Sequence, residues 1–121
     1  MTVELAIVGA GPAGMAAAAL AAELGLETLL VDEQGSPGGQ LYRAIEQAPP
    51  DTPLGPDYLA GRSLAAALRA SHIDYRPSTT LWHVDPDGTL FLEAGGRIES
   101  LTARRVLLAT GALERPMPIP G

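Results

Sequence analysis

The 121-residue sequence contains no cysteine, and no lysine or asparagine either. Without thiols there can be no disulfide scaffold, thiolate metal site, cysteine nucleophile or thiol relay within this chain, so any redox chemistry must be borrowed. The missing lysine and asparagine, set against abundant alanine, read as a composition habit and carry no function. No apolar run reaches the roughly 20 residues of a membrane span, and the N-terminus lacks the basic flank of a secretory signal, which places the chain in the cytoplasm. Positive charge is sparse: 8 arginines face 14 acids for a net charge of −6. The arginines are scattered, so neither nucleic acid nor an anionic lipid surface is an expected partner. There is no Gly-x-Ser-x-Gly elbow and no metal-ligand cluster to anchor a hydrolase or metalloenzyme reading.

What is present is an ordinary globular composition, 46% hydrophobic and 18% charged, in one domain's worth of chain. Thr2–Val8 alternates and then runs apolar, as a strand buried on both faces of a parallel sheet does. From Pro12 an alanine-rich stretch continues to Gly25, with proline opening and glycine closing a helix. Glu27–Asp32 reads as a second buried strand, so the first 32 residues form one βαβ unit. Glycine and proline crowd residues 33–57, leaving room only for a short helical turn at Leu41–Glu46. A second helix starts at Pro56 and Asp57 and ends near Ser71. Short strand-like runs follow at Ile73–Arg76, Thr79–Val84, Thr89–Glu93 and Ile98–Leu101, with turns at Asp85-Pro86-Asp87-Gly88 and Gly95-Gly96, as in an antiparallel meander. Arg104–Thr110 returns to the buried parallel type, and Pro116, Pro118 and Pro120 forbid regular structure in the tail. The expected architecture is α/β: a parallel sheet built from the first, second and last strands, helices on one face and the meander on the other.

The turn between the first strand and helix is Gly9-Ala10-Gly11-Pro12-Ala13-Gly14, a G-x-G-x-x-G in the context that gives the motif meaning. Gly9 permits the tight turn, Gly11 lets backbone approach a pyrophosphate, and Gly14 lets the helix pack close on the strand. The N–H groups opening the helix face the phosphates. Asp32 closes the second strand and can accept hydrogen bonds from a ribose diol; Glu33 beside it could do the same. A carboxylate there disfavours a 2′-phosphorylated, NADP-type ligand. The double glycine in Gly35-Ser36-Pro37-Gly38-Gly39-Gln40 suggests a ligand longer than NAD. His72 reads as a helix-end residue and His83 as a surface residue; Tyr42 and Arg43 follow the double glycine and could touch a cofactor, but read first as packing and as solvated.

The run from Val3 to Tyr42 resembles the FAD-binding N-terminus of the two-dinucleotide-binding-domain flavoproteins, the pyridine nucleotide-disulfide oxidoreductase-like group that includes thioredoxin reductases. Val31-Asp32-Glu33-Gln34 and Pro37-Gly38-Gly39-Gln40-Leu41-Tyr42-Arg43 most resemble the FAD subunits of opine oxidase, hydroxyproline dehydrogenase and hydrogen cyanide synthase. Val106-Leu107-Leu108-Ala109-Thr110-Gly111 resembles that group's hydrophobic strand ending in Ala-Thr-Gly, and Leu113-Glu114-Arg115-Pro116 to Gly121 resembles its exit towards a second domain. The resemblance implies a Rossmann-like, three-layer, apparently truncated FAD-binding domain over residues 1–115, with residues 116–121 as a linker. It implies pyrophosphate contacts at Gly9, Gly11, Pro12, Ala13 and Gly14, and ribose contacts at Asp32 or Glu33 with Gln34 beside them. Gly39 and Gln40 would flank the ribityl chain or flavin, Ala109, Thr110 and Gly111 would line the far side, and Leu81 would reach the adenine. No catalytic acid or base stands out. The implied function is to hold FAD in an oxidoreductase whose flavin accepts a hydride from an amine or imino acid. The alternative is a non-catalytic dinucleotide-binding or assembly module. Self-association, or other subunits of a flavoenzyme complex, would complete the unit.

Overall fold

The computed structural model describes residues 1–112 and 116–120. Strand β1 (Thr2–Val8) leads through the glycine turn into helix α1 (Pro12–Glu23), which returns the chain to strand β2 (Thr28–Val31). After a long loop come helices α2 (Gly55–Leu59) and α3 (Gly61–Ala70), and then strands β3 (Asp74–Arg76), β4 (Thr80–Val84), β5 (Thr89–Ala94) and β6 (Arg97–Leu108). They form one six-stranded sheet in the order β3-β2-β1-β6-β5-β4. β3, β2, β1 and the second half of β6 run parallel. β4, β5 and the first half of β6 are antiparallel.

Helix α1 ends where its sequence says it should. Gly25 has φ +71, Leu26 N–H donates to the Ala21 carbonyl at 3.0 Å and Gly25 N–H to the Ala22 carbonyl at 3.1 Å. This pair of bonds is the glycine-ended cap that satisfies the last carbonyls of a helix. The buried side of α1, with Met15, Ala18 and Ala21, packs with Ile7, Leu30, Ala65 and Leu68 into a core on the helix face of the sheet. A second core lies on the opposite face, where Leu90 and Leu92 of the meander cover Val3, Ala6, Leu29 and Val31. The sheet is therefore buried on both sides, which is why β2, Thr-Leu-Leu-Val, is buried at every position rather than at alternate ones. The expected three layers are present.

Several boundaries differ from expectation. The runs Ile98–Leu101 and Arg104–Thr110 are not separate: both lie on β6, which ends at Leu108 and pairs with β5 and β1 at the same residue, Thr102. Its last stretch is not buried, because Leu107 is 40% and Leu108 67% exposed. Asp74–Arg76 does not belong to the meander but adds a parallel strand outside β2, so first, second and last strands are not the whole parallel sheet. The helix expected over residues 56–71 is divided at Ala60. The helical turn expected at Leu41–Glu46 appears as turns through Ala44 followed by a single 3-10 turn at Ile45–Gln47, because Ala44 takes φ 56. Both turn readings hold: Gly95 and Gly96 have φ +57 and +81, the left-handed pair a two-residue hairpin needs.

The break between α2 and α3 has a packing role. A Cβ added to Gly61 would stand 2.4 Å from the Tyr42 ring, so the ring lies directly on the start of α3. The Tyr58 hydroxyl donates to the Arg43 carbonyl from the same side. These contacts pin the Gly38–Ala44 loop to the helices. Gly61→Ala is expected to lower stability by about 1–3 kcal/mol through overpacking, and to cost clearly less when Tyr42 is already alanine. A urea double-mutant cycle measures the coupling; additive effects would show that the ring does not lie on Gly61.

Candidate functional site

The carboxyl ends of β1, β2 and β6 open onto one cleft of about 1130 Å³, whose lining begins at Val8, Val31 and Leu108. Open α/β sheets place ligands at this end of their strands. The glycine turn forms the middle of the cleft, residues 32–34 one end, and residues 108–112 the other, with the Ser36–Ala44 loop above. The residues singled out from the sequence converge here: Gly9, Gly11, Pro12, Ala13, Asp32, Glu33, Gln34, Gly39, Gln40, Leu81, Ala109, Thr110 and Gly111 all line the cleft. Gly14 does not; it is buried beneath the turn.

The motif glycines separate into two kinds. A Cβ on Gly14 would fall 1.7 Å from the Gly9 carbonyl oxygen, and one on Gly9 would fall 2.2 Å from the Ala109 carbonyl oxygen. Those two are demanded by the protein's own packing, and Gly9 also has φ +108. Gly11 is different. Its φ of −76 suits any residue, and a Cβ there would meet nothing nearer than the Gly39 Cα at 3.7 Å. The fold leaves open a place that a side chain would fill, beside the start of α1. Gly11 is the N-cap of that helix, with no side-chain cap and no acidic residue in the first turn. The N–H groups of Ala13 and Gly14 therefore keep their capacity and the helix its positive end, which together suit an anion.

Asp32 is held from every side. Its N–H donates to the Arg76 carbonyl at 3.1 Å and its carbonyl accepts from Thr79 at 2.9 Å, so the exits of β2 and β3 lock together. Its carboxylate accepts the Ala10 N–H at 3.2 Å and the Gln34 N–H at 3.2 Å. Each oxygen keeps lone-pair capacity for a further donor. Glu33 and Gln34 are exposed on the rim, so Asp32 is the acid built into the turn. Close by on β3, the Tyr75 hydroxyl is buried without a partner among the described residues. Burial first, and then the Asp32 charge, push its pKa up to about 12, and Arg69 lies 5.1 Å over its ring. Nothing in the sequence around Tyr75 announces this.

The double glycine is structural as well as cleft-lining. Gly38 N–H donates to the Ala10 carbonyl at 2.8 Å, and a Cβ on Gly39 would stand 2.9 Å from Gly11 Cα. Gln40 Nε2 donates to the Ala112 carbonyl at 2.8 Å, joining walls that lie 72 residues apart in sequence. Sequence reading missed Leu41, Ala44 and Ala112 as lining residues; their only signal is adjacency to the double glycine and to Ala-Thr-Gly. Tyr42 packs on Gly61, as expected. His72 is exposed, and His83 pairs with Asp85 at 2.8 Å on the meander. Among the described residues there is no metal-ligating cluster and no helix long and apolar enough to cross a membrane. Pro116–Pro120 is exposed and irregular; Leu113, Glu114, Arg115 and Gly121, named with it as an exit, lie outside the described residues.

The model of the family described as pyridine nucleotide-disulphide oxidoreductase matches residues 3–121. An opine oxidase subunit of Rhizobium meliloti (strain 1021) is 44% identical over 117 residues, which are 95% of this chain and 26% of that protein. The HcnB subunit of hydrogen cyanide synthase from Pseudomonas aeruginosa is 36% identical over 129 residues, covering 100% of this chain and 27% of its own length. The crystal structure of L-proline dehydrogenase from P. horikoshii superposes with a TM-score of 0.74 at 27% identity, covering 97% of this chain and 24% of that one. The chain thus spans about a quarter of each of these proteins.

Two alanines test the division among the glycines. Gly14→Ala is expected to destabilise the fold by about 2 kcal/mol or more, because backbone must move. Gly11→Ala should leave the urea midpoint nearly unchanged yet weaken dinucleotide binding at least about tenfold. Equal affinity in wild type and Gly11→Ala would remove the cleft's claim to a diphosphate.

Proposed function

This chain belongs to the pyridine nucleotide-disulphide oxidoreductase family, whose cofactor is FAD, and we propose that it is the FAD-binding module of an oxidoreductase acting on an amine or imino-acid substrate. One observation carries the reading: the free space at Gly11, against an uncapped helix start and one strand away from a fixed carboxylate. The residues fit the group. The N–H groups at Gly11 and Ala13 would hold the diphosphate, with Gly9, Pro12 and the buried Gly14 shaping the turn beneath it. Asp32 would grip the ribose, with Glu33 and Gln34 at the rim and Leu81 towards the adenine. Gly39 and Gln40 would flank the ribityl chain, and Ala109, Thr110 and Gly111 the flavin.

Bound there, FAD would supply a two-electron acceptor for a hydride from a substrate C–H beside nitrogen. The chain itself contributes orientation, exclusion of bulk from the turn and a fixed charge at the ribose. The substrate class is supported by the relatives' own names, opine oxidase and L-proline dehydrogenase, both of which denote oxidation beside nitrogen. Residues 1–115 are taken as the cofactor-binding unit, with residues 116–121 leading away from it, in a cytoplasmic enzyme with further subunits. A second reading, a half-site that does no chemistry alone, draws support from Leu108, which lines the cleft yet stays 67% exposed.

Equilibrium titration decides the cofactor. FAD is expected to bind more tightly than NAD by at least about tenfold, and Asp32→Asn to weaken both. A preference for NAD would overturn the assignment. Reduction of bound flavin by a secondary amino acid in the full-length enzyme would support the substrate class, and indifference to amines would remove it.

A further inference from the structure

Arg43 has no ion-pair partner among the described residues, whereas Arg69 pairs with Glu46 and Arg76 with Asp74 and Glu99. It is also the only cation among the described residues that line the cleft, where the ionised side chains are otherwise Asp32 and Glu33. An anionic ligand entering this site meets those two carboxylates and a chain of net charge −6, so an unpaired guanidinium on the wall carries electrostatic weight out of proportion to its number.

Its position is set by backbone. Tyr42 N–H donates to the Gly38 carbonyl at 3.0 Å, closing a turn that opens on two glycines of positive φ, and the same loop carries Arg43 into the lining of the cleft. Gly39 lies against Gly11 and, through its Cβ direction, 3.6 Å from Pro12 Cδ. Arg43 is thus on the loop that touches the start of α1 and lines the same cleft, and its own carbonyl is held by the Tyr58 hydroxyl. A guanidinium is the side chain best matched to phosphate oxygens, which it meets with two parallel N–H donors.

We propose that Arg43 is the counter-charge to the diphosphate of the dinucleotide held in this cleft, closing over it from the loop while the N–H groups of α1 hold it from below. The inference rests on the dinucleotide reading above and adds a residue outside the glycine motif. Titration of the chain with FAD, ADP and adenosine, in wild type, Arg43→Gln and Arg43→Lys, tests it by binding alone. Arg43→Gln should weaken FAD and ADP about tenfold, leave adenosine unchanged and leave thermal stability unchanged, since the side chain is exposed. Arg43→Lys should recover part of the loss, and high salt should narrow the gap between wild type and Arg43→Gln. Unchanged FAD and ADP affinity in Arg43→Gln, or an equal loss for adenosine, would overturn the role while leaving the cleft's assignment standing. A wild-type chain that takes up neither FAD nor ADP would overturn the dinucleotide reading, and this inference with it.

Discussion

Everything at the functional end of this molecule depends on α1 starting almost in contact with the turn that precedes it. The Gly9 carbonyl occupies the space where a Gly14 side chain would be, so helix and turn approach to backbone distance. That closeness fixes the direction in which α1 presents its first N–H groups, and it lets the Asp32 carboxylate reach across to Ala10. The same contact places Ala10 where its carbonyl can accept from Gly38. Turn, acid and double-glycine loop are thus three arms of one backbone junction, in which side chains would only be obstacles. Alanine-rich packing on α1 serves the same end, since Ala18 and Ala21 keep the helix low on the sheet.

Strand β6 is the second organising element. Its first half belongs to an antiparallel hairpin and its second half to the parallel sheet, with Thr102 paired to both Thr89 and Thr2. One continuous strand therefore carries the chain from the layer that covers one face back into the sheet being covered, and delivers Ala109 to the first turn, where its N–H donates to the Val8 carbonyl at 2.8 Å. Non-local pairing of this kind closes a loop of nearly the whole chain, and its entropy cost is offset by two cores that only then become complete.

Much of this was legible in the sequence because the signals were local. Gly25, Gly95-Gly96 and the G-x-G-x-x-G each report a backbone conformation that other residues resist, and β2 reports burial on both sides by its consecutive Leu29-Leu30-Val31. What was not legible required knowing neighbours. Asp74–Arg76 has no pattern that distinguishes a fourth parallel strand from part of a meander; only its pairing with Leu29–Val31 does. Leu107 and Leu108 read as buried because they are apolar, yet burial depends on what covers them, which the described residues do not supply. The choice between Asp32 and Glu33 was open from spacing alone; the structure adds that the N–H groups of Ala10 and Gln34 reach the Asp32 carboxylate while Glu33 is exposed. The Gln40–Ala112 bond joins segments distant in sequence, and no periodicity encodes it.

The strand order also implies a direction for the proposed ligand. β2, β1 and β6 are consecutive neighbours, so Asp32, the glycine turn and Ala109–Gly111 follow the ends of three adjacent strands. Neighbouring strands lie about 4.8 Å apart, so the acid and the Ala-Thr-Gly segment stand about 10 Å from each other across the cleft, with the start of α1 between them. An elongated molecule with a sugar at one end, a charged middle and an apolar ring at the other matches that progression: carboxylate, N–H groups, then a wall where Leu108 remains open. The reverse orientation would place an apolar ring against Asp32 and Glu33 and a sugar against leucine, losing hydrogen bonds at one end and desolvation at the other. The order of three strands, rather than any single contact, is what gives the proposed site its polarity.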